Sequence, residues 1–339
     1  MDRRDFLRAG VIAPAVLIEL NRLGLSDAMT SRGEASVAEW EEIVTEHGFA
    51  YMTTSPEALL DQLMTDILAI QFAVSGELDG SSRSRDLQRC AALLAALTAM
   101  TVANLGRLGQ GRRWWRTARD LADRSTDPAA RAWVRGREIV RALYEQRPAE
   151  MILAMTATYE GELADAPQEV LPELLGGKAQ ALALAGRTGE AEQLLPQFVT
   201  VCEALPARIT AQGGSVFGWS PDRQRFTESD VHSFGGNFDD AAAAQDAAVA
   251  LYPKTYVRGP AQIELQRALC LARMGDSAAA ATHAQQVLQQ LPSGDHIRPI
   301  VDLAYRVNHD IPACDSRLPE VIGYREFLSN TRPLEVLAI

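Results

Sequence analysis

FGWSPDRQRFTESDVHSFGGNFDDAAAAQDAAVALYP occupies residues 217–253, and RGPAQIELQRALCLARMGDSAAAATHAQQVLQQLP occupies residues 258–292. Each stretch reads as a helix, a Gly-containing turn, an Ala-rich helix and a closing Pro. Gly takes the positive φ that ends a helix, and Pro cannot continue one. One helical hairpin is therefore written twice. Two closely packed antiparallel helices need small residues where their backbones approach. In the first hairpin these are Ser229, Ala241 and Ala248, with the turn at Gly236 and the stop at Pro253. In the second they are Ala268, Ala280 and Val287, with the turn at Gly275 and the stop at Pro292.

These spacings match the tetratricopeptide unit of about 34 residues. Working toward the N-terminus, apolar periodicity predicts further pairs: 87–105 with 110–124, 128–144 with 148–163, and 167–185 with 190–205. The matching small or turn-following position of successive units falls at Gly111, Ala149, Ala191, Ala241 and Ala280. The spacings are 38, 42, 50 and 39 residues, so the helices or loops exceed the minimal unit. The pair 128–163 fits least well, because Tyr144 stands where the others have a turn glycine. The longest insertion, ARITAQGGSV at 207–216, is flexible in composition. A pair at 295–308 and 318–328 would cap the stack. Near the start, Ser36 with Glu39 forms a capping-box pattern, and Ser55-Pro56-Glu57 opens a second helix.

Composition agrees with an all-α chain. The 339 residues are 47% hydrophobic and only 6% aromatic, and alternating strand-like runs are nearly absent. The expected architecture is a right-handed α-solenoid of tetratricopeptide-like hairpins over 31–330. An N-terminal segment at 1–30 precedes it, and a tail at 331–339 follows. A net charge of −11 argues against non-specific nucleic-acid binding. No apolar run reaches the ~18–20 residues of a membrane span. Cys90, Cys202, Cys270 and Cys314 form no CxxC and read as buried, reduced thiols of a cytoplasmic protein. Arg3-Arg4 begins like an export signal, but Glu19, Asn21 and Arg22 follow the short apolar run at once. An N-terminal helix docking Phe6, Leu7, Val11 and Leu17 on the body is the simpler expectation.

A family resemblance runs through SVAEWEEIVTEHGFAYMTT, GRRWWRTARDLADRSTDPAARAWVRGREIVRALYEQRP, FGWSPDRQRFTES and AAQDAAVALYPKTYVRGPAQIELQRALCLARMGD. With the Arg-Arg-x-Phe-Leu start, these segments resemble the tetratricopeptide-type sensor region of actinobacterial Xre-type helix-turn-helix regulators. The resemblance implies a ligand-sensing or partner-binding role in transcriptional regulation. The helix-turn-helix domain of such regulators has no counterpart in the sequence, so direct DNA binding is not expected.

Enzyme chemistry finds no constellation here. The five His residues show no metal spacing such as HExxH. His232, with Glu228 one helical turn before it and Asp230 nearby, is the most interesting of them, and a structural His explains it more simply. No GxSxG, Walker loop or dinucleotide fingerprint occurs, and no cofactor is expected.

Binding is the better expectation. The first helix of each unit lines the concave face, with side chains one turn apart pointing inward. This mapping selects Arg131, Val134, Glu138 and Arg141; then Glu173, Gly176, Gln180 and Ala183; then Arg223, Phe226, Asp230 and Ser233; then Gln262, Leu265, Leu269 and Ala272. Its candidate contacts are Arg131, Glu138, Arg141, Gln180, Arg223, Phe226, Asp230 and Gln262. Residues 107–147 add a local charge of +6 from eleven arginines and five acids, with Trp114, Trp115 and Trp133 among them. That cluster would suit an acidic or phosphate-bearing partner, but ion pairs to neighbouring helices around buried tryptophans are the plainer expectation.

The leading expectation is a non-enzymatic regulatory protein that binds a protein or peptide in its concave groove. The alternative is a small-molecule or peptide sensor acting with a separate DNA-binding partner, and an enzyme on the same stack is the third. A homodimer is compatible with each. An open polar groove favours the first, and a closed aromatic-lined cavity involving Phe226, Trp219 or Tyr51 favours the second.

Overall fold

The computed structural model describes residues 36–163 and 166–331. The Arg3-Arg4 segment, the expected N-terminal helix and almost all of the C-terminal tail lie outside these residues. The described residues contain 15 α-helices and no strands. They are α1 (Val37–Thr53), α2 (Pro56–Gly76), α3 (Ser82–Asn104), α4 (Leu108–Ser125), α5 (Pro128–Tyr144), α6 (Ala149–Glu162), α7 (Leu171–Leu184) and α8 (Thr188–Glu203). After the single-turn α9 (Ala207–Thr210) come α10 (Pro221–Gly235), α11 (Phe238–Leu251), α12 (Arg258–Arg273), α13 (Ser277–Gln290), α14 (Arg298–Asp310) and α15 (Pro319–Thr331).

Local signals set the helix ends. Ser36 accepts from the Glu39 amide and Glu39 bonds back to the Ser36 amide, completing the capping box. Ser55 caps α2 with Pro56 at its first position, and Asp127 with Pro128 does the same for α5. The hairpin turns use Gly106, Gly186, Gly236 and Gly275, each with φ between 74° and 90°. In the α5/α6 hairpin Gln146 takes the left-handed conformation instead, at φ 53°. That explains the poor repeat match there: a side-chain-bearing residue stands at the turn, and its amide Nε2 donates to the Asp302 carbonyl at 3.2 Å.

Consecutive helices pack as pairs: α3/α4, α5/α6, α7/α8, α10/α11, α12/α13 and α14/α15. Small residues allow the close approach. A Cβ on Gly111 would stand 3.1 Å from the Ala99 carbonyl oxygen. Ser229, Ala241, Ala248, Ala268 and Ala280 are all fully buried. Val287 is only half-buried, and Ala284 and Leu288 carry that contact. Trp115 and Phe198 are the largest apolar plugs of their hairpins, each at 0% exposure. Burying such a ring fully contributes about 2–3 kcal/mol.

First helices also pack on one another in the order α3, α5, α7, α10, α12, α14, and α14 touches α3 again. The inner row therefore returns to its start. Two helices, α2 and α3, match a membrane span in length and hydropathy, but 83% of the α3 window is buried inside the protein. Helix α2 packs one side on α3 and leaves Met64 and Phe72 exposed.

The 207–216 insertion is packed rather than loose, contrary to its composition. The Val216 amide donates to the Gly48 carbonyl of α1 at 2.9 Å. Phe217 stacks on Trp133 with centroids 4.7 Å apart, and the Trp219 amide closes back on the Ile209 carbonyl at 3.2 Å. A Cβ on Gly48 would lie 2.5 Å from the Phe217 ring, so glycine there permits the contact. Its glycines serve close approach, which composition alone reads as flexibility.

Candidate functional site

The returning row of first helices borders a half-open cavity made of two adjoining chambers that share lining residues. The first, about 150 Å³, is lined from α1, α3, α5, α7, α10, α12 and α14 and by the 216–219 loop. Tyr51, Tyr144, Tyr252 and Tyr256 give it an aromatic wall, with Trp219 and Phe226. The second, about 340 Å³, is lined by Leu143, Leu184, Phe234, Leu303 and Asp230 among others. Tyr144, Gln180, Phe226, Gln262 and Pro299 border both and form a waist between them. At this waist the Tyr144 and Phe226 rings meet edge to face at 6.5 Å.

Charge in the first chamber is arranged around one carboxylate. Oε1 of Glu173 forms an ion pair with Arg137 at 2.7 Å and accepts from Arg223 Nη2 at 2.8 Å. Both arginines also donate to the Val216 carbonyl at 3.1 Å, which ties the 207–220 segment to the wall. Arg223 stands over the Trp219 ring at 4.6 Å. Arg258 enters from α12 and binds Asp295 at 2.7 Å. Several buried polar atoms along this wall lack a protein partner: Nε of Arg137, Nε of Arg141, Oε2 of Glu173 and Oε1 of Gln180. Each of these atoms has almost no accessible surface, so they are unpaired polar groups packed within the wall.

In the second chamber the Asp230 carboxyl accepts from Gln266 Nε2 at 3.0 Å. Burial pushes it up to about 7, against the opposing pull of the Gln266 hydrogen bond and the Arg273 charge. Burial likewise raises the Asp222 carboxyl and the Tyr144 and Tyr252 phenols, so the phenols stay protonated donors.

Of the eight candidate contacts, six line the cavity. Arg141, Gln180, Arg223, Phe226 and Gln262 border the first chamber, and Asp230 borders the second. Arg131 and Glu138 lie elsewhere. Arg131 is half-buried against α4, where it binds Asp123 at 3.0 Å. Glu138 is buried on the opposite side of α5, bound to Arg119 and accepting from the Tyr159 hydroxyl at 2.8 Å. The inward positions of α5 are Arg137, Val140, Arg141 and Tyr144, of which the expected set had only Arg141. On α12 the inward residues are Arg258, Gly259, Gln262 and, in the second chamber, Gln266, while Leu265 and Leu269 belong to the core. Arg137, Arg258 and Asn104 were not selected by the repeat register. Arg137 and Arg258 belong to units whose register differs, and Asn104 ends a helix read as purely apolar.

The arginine-rich segment divides in two. Arg119, Arg131, Arg135, Arg137 and Arg147 all form ion pairs, and Trp115 and Trp133 are core residues. Arg112, Arg113 and Arg116 point outward from α4. His232 makes no contact with Glu228, whose carboxylate binds Gln224 and Arg225. Among the described residues no three His, Cys, Asp or Glu side chains converge as a metal site.

No protein-family model matches the sequence, and comparisons with curated proteins and with solved structures found no match.

Proposed function

We propose that this chain is a non-enzymatic sensor that holds a small polar ligand inside its ring of first helices. The observation that carries the reading is the tyrosine-lined cavity, with Arg141, Gln180, Arg223 and Gln262 also on its wall. A concave site of this size, walled by aromatic rings with a few polar groups, suits a compact ligand. The stack is read as tetratricopeptide-like and right-handed, on the support of its glycine turns and its small-residue contacts. Its resemblance to the sensor region of Xre-type regulators assigns the ligand a regulatory role, exercised through a separate DNA-binding partner.

Native mass spectrometry of the protein purified from its source cells tests this. A small added mass that disappears in Gln262→Trp, which fills the waist, supports the sensor. A co-purifying protein, with no small mass, supports instead the adaptor that binds a protein or peptide partner.

A further inference from the structure

One arginine of the first chamber is electrostatically unlike the rest. Arg137 and Arg223 share Glu173, and Arg258 has Asp295. Arg141 is 4% exposed and meets only neutral groups. Its Nη2 donates to Asn104 Oδ1 at 2.8 Å, and its Nη1 lies 3.5 Å from the Tyr51 hydroxyl. The guanidinium stands over the Tyr144 ring, 5.4 Å from its centroid. Among the described residues no acidic side chain pairs with it, and its buried Nε has no partner. Asn104 in turn donates from Nδ2 to the Tyr51 hydroxyl at 3.2 Å. This triangle fixes the orientation of the guanidinium and leaves its charge uncompensated.

A guanidinium stays protonated in a protein interior, and an unpaired buried ion is far costlier than a buried hydrogen-bonded dipole. A bound anion would remove that cost. The free N–H groups of Arg141 form a fork suited to an oxyanion. Beyond the head group lies the waist of Tyr144 and Phe226, then a second chamber where Leu143, Leu184, Phe234 and Leu303 offer apolar surface beside Arg147, Asp302 and Arg306.

We infer that the cavity takes a small amphiphilic oxyanion, a carboxylate or phosphate ester, whose head pairs with Arg141 and whose apolar body passes the Tyr144–Phe226 waist. The inference rests on the cavity-ligand reading and specifies the chemistry of its ligand.

The test uses calorimetric titration and thermal melting of the full chain. The probes are 4-phenylbutyrate, its neutral amide and 4-phenylbutyl phosphate, applied to the wild type and to Arg141→Gln. The expected result is that an acid binds the wild type at least ~10-fold more tightly than the amide, and that Arg141→Gln reduces this preference to about twofold or less. Whichever acid is tighter identifies the head group as carboxylate or phosphate. Without ligand, Arg141→Gln should melt ~2–4 °C higher, since it removes an uncompensated charge and keeps the Asn104–Tyr51 bond. Equal binding of acid and amide overturns the anion site and leaves the cavity reading standing. If neither acid binds, or if Arg141→Gln melts lower than the wild type, the anion site is also overturned. The cavity reading is then judged separately by the source-cell mass.

Discussion

Arg258 reaches back across the whole chain to Tyr51. Its Nη1 donates to the Tyr51 carbonyl at 3.2 Å and its Nη2 to the Thr54 carbonyl at 2.6 Å. These carbonyls belong to the last turn of α1 and to its C-cap, where no intrahelical donor remains and the helix dipole favours a cation. One side chain thus caps α1, forms part of the cavity wall and joins α12 to the start of the stack. Arg258→Gln should cost ~2–3 kcal/mol, the range for charge-assisted hydrogen bonds of a buried group. Hydrogen exchange should show the amides of α1 losing protection before those of α12.

Glu173 neutralises two arginines at once, so Glu173→Gln should be among the most damaging single changes in the wall. It leaves Arg137 and Arg223 buried without a counter-charge, at a cost of about 3–5 kcal/mol. Chemical denaturation of the variant measures this directly. Replacing Arg223 alone should cost less, because Glu173 keeps Arg137.

Asp230 makes stability depend on pH with a definite sign. Its folded-state value near 7 lies above that of an unfolded aspartate, so the folded state holds a proton that the unfolded state has already lost. Stability from this group is complete below about pH 4 and is lost as pH rises toward 7. Asp230→Asn keeps the acceptor for Gln266 and removes the titration. The ligand-free variant should match wild type at pH 4 and exceed it above pH 7 by on the order of 3 kcal/mol. Melting curves at the two pH values check the difference.

Gly48→Ala should detach the 207–220 segment from α1. The new methyl group would meet the Phe217 ring at 2.5 Å and the Ser215 hydroxyl at 2.7 Å. Overpacking of this kind costs ~1–3 kcal/mol. Limited proteolysis should cut the variant near Gly213 and Gly214 under conditions in which the wild type is resistant.

Two residues of α5 serve as controls for the cavity. Arg131→Ala breaks only a partly exposed pair with Asp123 and should change stability by less than ~1 kcal/mol. Glu138→Gln disturbs a buried bond network with Arg119 and Tyr159 and should cost ~1–3 kcal/mol. Neither should shift the affinity of any cavity ligand, which titration of the two variants measures.

Helix identity was legible in the sequence because it rests on local signals. Ser36, Ser55 and Asp127 mark starts, while Gly106, Gly186, Gly236 and Gly275 mark turns, and each acts within one helical turn. The inward face was legible wherever the helix kept the repeat register, as at Arg223, Phe226 and Asp230. It was missed on α5 except at Arg141, with Glu138 standing for Arg137 and Tyr144. The α5/α6 turn is built on Gln146 rather than glycine, so the register carried over from its neighbours does not apply there. Closure of the inner row was not legible at all. It depends on α14 meeting α3 and on Arg258 reaching α1, contacts between residues about 200 positions apart that leave no local periodicity.

The return of the inner row to its start alters how such a stack comes apart. In an open array each terminal hairpin has one neighbour, so unfolding begins by fraying at an end and advances hairpin by hairpin. Here α14 rests on α3, Gln146 holds the Asp302 carbonyl, and Arg258 holds the end of α1. A terminal hairpin cannot peel away without giving up contacts at both of its borders. Loss of any hairpin of the inner row would therefore break contacts on both of its sides and expose the cavity lining that it carries.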